Sequence, residues 1–457
     1  MNSSTDDLLA RARALYARGD DAGARSAYLE LLRREPTHFS ALNELAAIAY
    51  AGGHRSAART AYEQAVRCHP GNPLGHVNLG NLLFEDEDFA AAREQFEAAL
   101  SRDDGFADAH RGLARTLIAQ GCETEAAPHL LKGYGGDACV VHRPCRGTGA
   151  GVPVLLLVSA KGGNIPAQRF LVDTVFSVTV VYVEYFDATR PLPDHAVVFN
   201  AIGDADFCPG ALGCAEAILA RTSAPVINPP ARIRPTTRAE VARRLAHLPH
   251  VRAPFVVELS RAEILERSDL AFPLLLRAPG FHTGRHFERL ERREDLLGAV
   301  ERMPGDAVLA IEYLDARGAD GGARKYRVMF IGGRLYPLHL AISEDWKVHY
   351  FTAGMATHPE HRAEEQRFLE DMDNALGAKA MAALSAIETT LGLDYGGIDF
   401  ALDADGNVLL FEANATMVIN LPDSNPMWDY RRTPISRALD AAKALVRARV
   451  GGPHSAF

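Results

Sequence analysis

Apolar positions in the first third of the chain recur with helical spacing inside a longer period of 34 residues, which also separates Pro36 from Pro70. Small residues that let two helices approach closely repeat at this period in both helices of each pair: Ala12, Ala46, Gly80, Ala114, then Ala24, Ala58, Ala92 and Ala126. Larger side chains follow four positions later: Tyr28, Tyr62, Phe96 and Leu130. The pattern predicts four stacked helix pairs over residues 5–136.

This 34-residue pattern resembles the tetratricopeptide repeat. The resemblance implies an all-α solenoid, predicted as a domain over residues 1–136, whose concave face receives an extended peptide or a helix. In the third repeat we expect His76, Asn78 and Asn81 to offer polar groups on that face. A peptide or protein substrate is therefore the predicted partner. The alternatives are that the repeats pack on the C-terminal half or form a homodimer.

The pattern changes after the repeats. Residues 137–152 are rich in glycine and lack periodicity, so a linker is predicted there. Short β-branched apolar runs then alternate with amphipathic segments of helical composition, which predicts an α/β region with a partly parallel sheet. We predict one α/β domain over residues 153–235 and a second over residues 236–450, with lobes 236–310 and 311–450.

Two carboxylates interrupt an apolar hairpin predicted within residues 396–417. If Asp405 and Gly406 are the central residues of a type I′ turn, the register of both strands follows from the turn. That register places Asp399 directly opposite Glu412. Carboxylates in this position repel each other, which costs up to about 1 kcal/mol on an exposed sheet and more in a buried one.

The same register separates the two faces of the hairpin. Phe400 faces Phe411, and one face is wholly apolar: Ile398, Phe400, Leu402, Leu409, Phe411 and Ala413. The other face ends in Asp399, Glu412 and Asn414. A divalent cation would supply the counter-charge, and Mg²⁺ prefers hard oxygen ligands of this kind. The alternative is a hairpin whose acidic side chains point into solvent.

Further candidate residues precede this hairpin. Arg277 ends a predicted strand before a loop with Gly280 and Gly284, where backbone N–H groups can approach phosphate oxygens. The next buried strand ends in three residues that precede an acidic loop: Glu312, Tyr313 and Leu314. Arg327 and Lys347 follow as cations. We expect His339 and His349, taken singly, to be structural.

Taken in order, these segments resemble the ATP-grasp superfamily, most closely the branch with glutathione synthetase and the ligases that add glutamate to a ribosomal protein. The resemblance covers residues 153–450 and implies an ATP-grasp fold of α/β (α+β) type behind the repeats. It implies that one set of residues holds Mg²⁺ on the ATP phosphates: Asp399, Glu412 and Asn414. Arg277 stands where the family usually has a phosphate-binding lysine.

The resemblance also assigns roles to the remaining candidates. It implies that Gly280 to Gly284 form a lid over the phosphates and that Glu312 to Leu314 form the hinge that meets adenine. Arg327 and Lys347 would neutralise the transferred phosphoryl group or the acyl phosphate. The implied function is an ATP-dependent carboxylate–amine ligase with a small-molecule amine or carboxylate as co-substrate. The alternatives are an ATP-dependent phosphotransferase and a repeat scaffold with a degenerate ATP site.

The composition of the chain limits the classes of partner that we expect it to bind. The chain of 457 residues is 47% hydrophobic and 23% charged, and its net charge of -9 provides no general basic surface for nucleic acid. No leader or membrane-spanning segment is expected, so we predict a cytoplasmic protein. Six cysteines are too few for a disulfide scaffold. Cys139, His142 and Cys145 are a weak zinc candidate, with a linker that carries free thiols as the alternative.

Overall fold

A computed structural model describes residues 4–280, 284–350, 353–422 and 425–451. The chain forms two compact units. The first consists of Met1–Gly162, Leu171–Ala196 and Leu421–Asn425, and the second of Gly163–Phe170, Val197–Asn420 and Pro426–Phe457.

The repeats occupy most of the first unit and contain four helix pairs within the described residues. Their helices are α1 (Thr5–Ala17), α2 (Asp21–Arg34), α3 (Phe39–Ala51), α4 (Arg55–Cys68), α5 (Pro73–Glu85), α6 (Phe89–Leu100), α7 (Ala107–Ala119) and α8 (Glu123–Tyr134). The small and large residues that repeat in the sequence are buried between them. Gly80 and Gly112 lie against the ring of Phe96, where an added Cβ would come within 2.9 and 2.1 Å of a ring carbon.

Three strands complete the first unit: β1 (Val140–Arg143), β2 (Val152–Val158) and β3 (Phe176–Tyr182). β3 pairs parallel with β2 and antiparallel with β1. The prediction of a linker over residues 137–152 is corrected here, because β1 lies within it. Backbone hydrogen bonding to β3 gives the glycine-bordered segment a regular structure that its own composition does not indicate.

The second unit contains the remaining described strands: β4 (Val197–Asn200), β5 (Val226–Ile227), β6 (Val251–Arg252), β7 (Val256–Ser260), β8 (Leu274–Arg277), β9 (Phe287–Leu290), β10 (Ala307–Glu312), β11 (Ala323–Ile331), β12 (Arg334–Ser343), β13 (Tyr395–Leu402) and β14 (Val408–Asn414). β4 and β5 are a parallel pair. An antiparallel sheet has the order β7-β10-β8-β9. Another has the order β12-β11-β13-β14-β6, in which β6 alone pairs parallel.

The helices of the second unit cover these sheets: α9 (Pro209–Leu219), α10 (Pro230–Ile233), α11 (Arg238–Leu245), α12 (Arg261–Glu266), α13 (Leu296–Arg302), α14 (Pro359–Glu370), α15 (Met372–Leu391) and α16 (Asp429–Gly451). The chain is therefore an all-α repeat region followed by a mixed α/β region. The predicted parallel pairing is present in both units. Within the described residues, none of the helices has the length and apolar character needed to cross a bilayer.

Candidate functional site

The hairpin of β13 and β14 pairs Asp399 with Glu412, as predicted, but not by the predicted route. The turn is longer than a type I′ turn, because Leu402 pairs with Val408 and the carboxylate of Asp403 accepts the N–H groups of Asp405 and Asn407 at 3.0 and 2.8 Å. A β-bulge then adds one residue to β14 between the turn and the carboxylates. The two changes of register cancel at Asp399.

The bulge corrects the predicted distribution of side chains. Phe400 pairs with Leu410 rather than with Phe411. Leu409 and Phe411 pack with Ala401 instead of joining the apolar face of Phe400. Because a bulged strand places two residues opposite one, the alternation of β14 reverses at this point. Asp399 and Glu412 keep a common face because they lie beyond the bulge.

Asp399 is buried and paired with two cations of β11. Arg327 donates two hydrogen bonds to its carboxylate, at 2.6 and 2.8 Å, and Lys325 Nζ lies 3.4 Å from Oδ2. Burial would raise the pKa of Asp399, but the charges of Arg327 and Lys325 outweigh it and hold this pKa well below its usual range. Asp399 is therefore a carboxylate, and these cations supply the counter-charge that the sequence assigned to a metal.

Glu412 is paired with an arginine that sequence reasoning missed. Arg238, at the start of α11, lies 2.5 Å from Glu412 Oε1, and Asn414 Nδ2 donates to the same oxygen at 2.8 Å. The amide oxygen of Asn414 accepts two hydrogen bonds from Thr416, from its N–H and its hydroxyl, both at 2.9 Å. Of the three predicted metal ligands, Glu412 and Asn414 are thus in direct contact, and Asp399 is the strand partner of Glu412.

A cavity of about 110 Å³ lies beside these residues in the second unit. Four of the predicted site residues line it: Arg277, Gly280, Glu412 and Asn414. Four charged residues that were not predicted line it as well: Asp204, Asp206, Arg238 and Glu258. Asp204 and Asp206 lie in the loop that follows β4, and a carboxylate pair shortly after a buried strand is the sequence signal that could have identified them. Among the described residues, the lining does not include Asp399 or Arg327.

Arg277 ends β8 and is only 9% exposed. Burial, followed by the charge of Arg238, lowers the pKa of Arg277 to about 10, while Glu412 and the aspartates of the cavity act in the opposite direction. The guanidinium is therefore a cation at neutral pH. It shares the cavity with Arg238 and with four carboxylates, those of Asp204, Asp206, Glu258 and Glu412.

The glycine loop lies close to the predicted lysine. Lys347 Nζ donates a hydrogen bond to the carbonyl of Gly284 and lies 5.9 Å from the centre of the Phe287 ring. An added Cβ on Gly284 would lie 2.4 Å from Lys347 Cε, and the φ of +76° at this position also favours a glycine. Residues 281–283 of the predicted lid lie outside the described residues.

The predicted hinge residues do not line the cavity within the described part of the chain. Glu312 accepts hydrogen bonds from Arg252, at 3.1 Å, and from the N–H of Phe255, at 3.0 Å. Tyr313 lies under the guanidinium of Arg289, 4.1 Å from the ring centre. Leu314 is buried in the apolar cluster that contains Ala401 and Leu409.

His339 on β12 is buried beside Arg327, its partner in the sheet. Burial and the charge of Arg327 keep the pKa of His339 far below its usual value, so its imidazole is neutral. Its Nδ1 has no hydrogen-bond partner among the described residues.

The expected concave face of the repeats is corrected at one position. His76 is 5% exposed, with Nε2 3.0 Å from the carbonyl of Pro70 and Nδ1 2.9 Å from Gln95. It stabilises the loop between repeats and is not available to a peptide. The partly buried Asn78 donates to Asn43 at 2.7 Å, and Asn81 accepts from Arg115 at 3.1 Å. A peptide would have to compete with these side-chain pairs.

Comparison with known proteins concerns the repeats. Residues 9–73 and 77–138 match the model of the tetratricopeptide repeat family. A crystal structure of MamA is 21% identical over 27% of this chain and 72% of its own, with a TM-score of 0.26. A MamA structure from Desulfovibrio magneticus RS-1, beginning at residue 41, is 22% identical over 28% of this chain and 73% of its own, also with a TM-score of 0.26. No curated protein matches the chain. Residues 9–138 are tetratricopeptide repeats, a class of repeat that mediates protein–protein interaction.

Proposed function

We propose that the chain is an ATP-dependent carboxylate–amine ligase of the ATP-grasp type, whose repeats recruit a peptide or protein substrate. The observation that carries this proposal is the direct pairing of Asp399 with Glu412 in a sheet that also presents Arg327. Opposed carboxylates with cations on both sides are suited to a ligand that brings both a divalent cation and polyphosphate.

Phosphoryl transfer requires positioning and charge neutralisation more than a protein nucleophile. Arg277 and Arg238 line the cavity beside Glu412. Arg327 lies opposite Asp399 on the neighbouring strand β11. We assign the ATP phosphates to the cavity that contains Arg277. The arginine fork binds two phosphate oxygens at once, so Arg277 can replace the usual lysine with a different geometry.

Two carboxylates and one amide oxygen are hard ligands of the kind that Mg²⁺ takes, and they lie at neighbouring positions of the hairpin. Binding the ion would replace contacts that Asp399 makes with Arg327 and that the Asn414 oxygen makes with Thr416. Asp399, Glu412 and Asn414 would hold the ion, which supplies neutralisation of the phosphate charge when bound. Arg238 now pairs with Glu412, and the phosphates would offer this arginine an alternative partner.

The remaining residues position the nucleotide. Gly280 and Gly284 border the segment assigned to the lid, and Lys347 contacts it through the carbonyl of Gly284. We assign Lys347 to the acyl phosphate, because the cation on its flexible stem can turn from a carbonyl to an anion. Glu312 to Leu314 are assigned to the adenine edge.

In the proposed reaction, a carboxylate oxygen of the substrate attacks the γ-phosphorus of ATP, and ADP leaves. An amine then attacks the carbonyl carbon of the acyl phosphate, loses a proton and expels inorganic phosphate. The net products are an amide, ADP and phosphate. His339 is neutral and buried, which is consistent with a structural role beside Arg327.

The test incubates the full chain with ATP, Mg²⁺ and candidate peptides, and measures ADP, phosphate and peptide mass. We expect release of ADP and phosphate only when a carboxylate and an amine are both present, with loss of water from the joined pair. A phosphorylated peptide would favour the phosphotransferase, and an absence of nucleotide binding would favour the scaffold.

A second measurement tests the repeats. Replacing Asn78 and Asn81 with alanine should raise KM for a peptide substrate with little change in kcat, since neither residue belongs to the second unit. Equal kinetics for the variant and the original chain would exclude this face as the peptide site.

A further inference from the structure

Three potential metal ligands cluster at the start of α14, on an element that the proposed reaction does not use. His358, Glu360 and His361 each offer one ligand atom, and these atoms all lie within 4.8 Å of one another. His358 Nδ1 lies 2.9 Å from Glu360 Oε1, and the two imidazole rings are stacked with centres 4.6 Å apart. It is the one such cluster of three among the described residues.

Helix geometry explains why these side chains meet. His358 is the N-cap of α14, Pro359 occupies the first helical position, and His361 is the third helical residue. Side chains at the N-cap and at the third position lie close together, as they do in a capping box. His358 does not cap the helix with its ring. The local fold therefore brings the two imidazoles together without giving the first one a capping role.

The imidazole of His361 has a feature that indicates a ligand. Nδ1 of His361 is buried and has no hydrogen-bond partner within the described residues. A buried polar atom that lacks a partner costs free energy, so native structures satisfy nearly all of them. A hydrogen bond between His358 and Glu360 accounts for those two residues and leaves His361 unexplained.

We propose that His358, Glu360 and His361 bind a divalent transition-metal ion of the zinc class. Imidazole and carboxylate are both ligands of Zn²⁺, with bonds of about 2.0–2.2 Å, so tetrahedral ligand atoms lie about 3.4 Å apart. Rotation of the three side chains would bring their ligand atoms from the separations in the structure to this tetrahedral spacing. Three protein ligands leave a fourth position for water.

A cation is favoured at the start of α14 only because Glu360 places a negative charge there. The N-terminal end of a helix is positive and disfavours a bound cation. Glu360 adds a carboxylate in the first turn of α14. The metal would hold the start of α14 next to Arg362, which donates to the carbonyls of Met355 and Ala356.

The zinc candidate from the sequence does not compete for the ion. His142 Nδ1 lies 3.1 Å from the hydroxyl of Thr179, and Cys139 donates to the carbonyl of Gly136. Cys145 accepts the N–H of Gly147. These three residues are engaged separately along and beside β1, and within the described residues they do not form a cluster of potential metal ligands.

The test uses the full chain, stripped with chelator and titrated with Zn²⁺ and Co²⁺. We expect one equivalent of bound metal by mass spectrometry and a tetrahedral Co²⁺ spectrum without thiolate charge transfer. His361→Ala and Glu360→Gln should each weaken affinity by at least about tenfold. His54→Ala is the matched control, because His54 is an exposed N-cap histidine that also does not cap its helix.

Glu360→Gln keeps the test decisive, because the residue is exposed and its replacement leaves the fold intact. Circular dichroism verifies the fold of each variant. Metal binding that is unchanged in Glu360→Gln and His361→Ala, or a Co²⁺ spectrum with thiolate charge transfer, would overturn the proposal. The readout is metal content and spectrum, so its result is independent of ligase activity.

Discussion

Two buried carboxylate–arginine pairs of the second unit have opposite pKa shifts, and their arginines bond both oxygens of Asp399 but only one oxygen of Glu365. Asp399 receives two hydrogen bonds from Arg327, and Glu365 receives two from Arg431, at 3.0 and 2.6 Å. The pKa of Asp399 lies below its usual range, whereas burial raises the pKa of Glu365 despite Arg431.

The difference lies in the other neighbours of each carboxylate. Asp399 has Lys325 as a second cation, whereas Glu365 has the phenol of Tyr430, at 2.5 Å, and the N–H of Leu340. Neutral donors do not balance the cost of burying a charge as a second cation does. Excess positive charge is present only at the pair assigned to nucleotide binding, so the first pair is suited to function and the second to stability.

The largest expected effect comes from breaking the pair of Glu365 with Arg431, which we call the stability pair. Arg431→Met leaves Glu365, which is 0% exposed, without its cation and should lower the free energy of unfolding by about 3–5 kcal/mol. Urea unfolding measures the loss, and Glu365→Gln in the same chain should restore part of it. Arg432→Met is the control, since Arg432 forms an exposed pair with Asp429. A loss below 1 kcal/mol would contradict the stability role.

The second prediction concerns the pair of Asp399 with Arg327, which we call the functional pair. Asp399→Asn should lower ATP turnover by about a hundredfold or more, because it removes a carboxylate assigned to Mg²⁺. Glu365→Gln should leave turnover per folded molecule within a few fold. Asp405→Asn, on the exposed turn of the same hairpin, is the control for the substitution itself. Equal losses in Asp399→Asn and Glu365→Gln would remove the distinction between the pairs.

A smaller effect should follow from removing the second cation of the functional pair. Lys325→Met should lower the free energy of unfolding by about 1–2 kcal/mol, because Arg327 still holds Asp399. Lys443→Met is the control, since Lys443 pairs with Asp440 at the surface and should lose less than about 1 kcal/mol. Thermal unfolding compares the two, and an equal shift would show that Lys325 does not stabilise Asp399.

The smallest effect is the pH dependence of the stability pair. The pKa of Glu365 is raised by folding, so the folded chain binds this proton more tightly than the unfolded chain. Its contribution to stability is therefore present below the usual glutamate pKa of about 4.3 and is lost as pH rises towards the folded value, by at most about 1.4 kcal/mol per pH unit. Glu365→Gln should remove this slope from urea unfolding measured between about pH 4 and 7. An unchanged slope would assign it to other groups.

Much of the repeat region could be predicted because the same spacing of small and large residues recurs several times in the sequence. The burial of His76 was missed, although His110 occupies the same position one repeat later and its Nε2 lies 2.8 Å from the carbonyl of Asp104. Comparing the two repeats at that position would have indicated a packing role for both histidines.

The candidate site could be predicted only in part. The predicted pairing of Asp399 with Glu412 is present only because the register shifts of the turn and the bulge cancel. Arg238 lies 174 residues before its partner Glu412 and is brought to it by tertiary folding. The turn was predicted wrongly because Asp403 offers its side chain to the backbone and competes with the type I′ conformation. No local pattern indicates the bulge. The assignment of the α/β region to the ATP-grasp superfamily stays a prediction.

The long turn and the bulge of the hairpin shift the strand register by one residue each in opposite directions, and this constrains any redesign of this segment that keeps its length. If the turn were shortened to two central residues and the bulge kept, Ala413 would lie opposite Asp399. If the bulge were removed and the turn kept, Phe411 would take that place. At constant chain length, a change of the turn or of the bulge alone therefore separates the two carboxylates, so a redesign that keeps both acids opposite each other must change the two together.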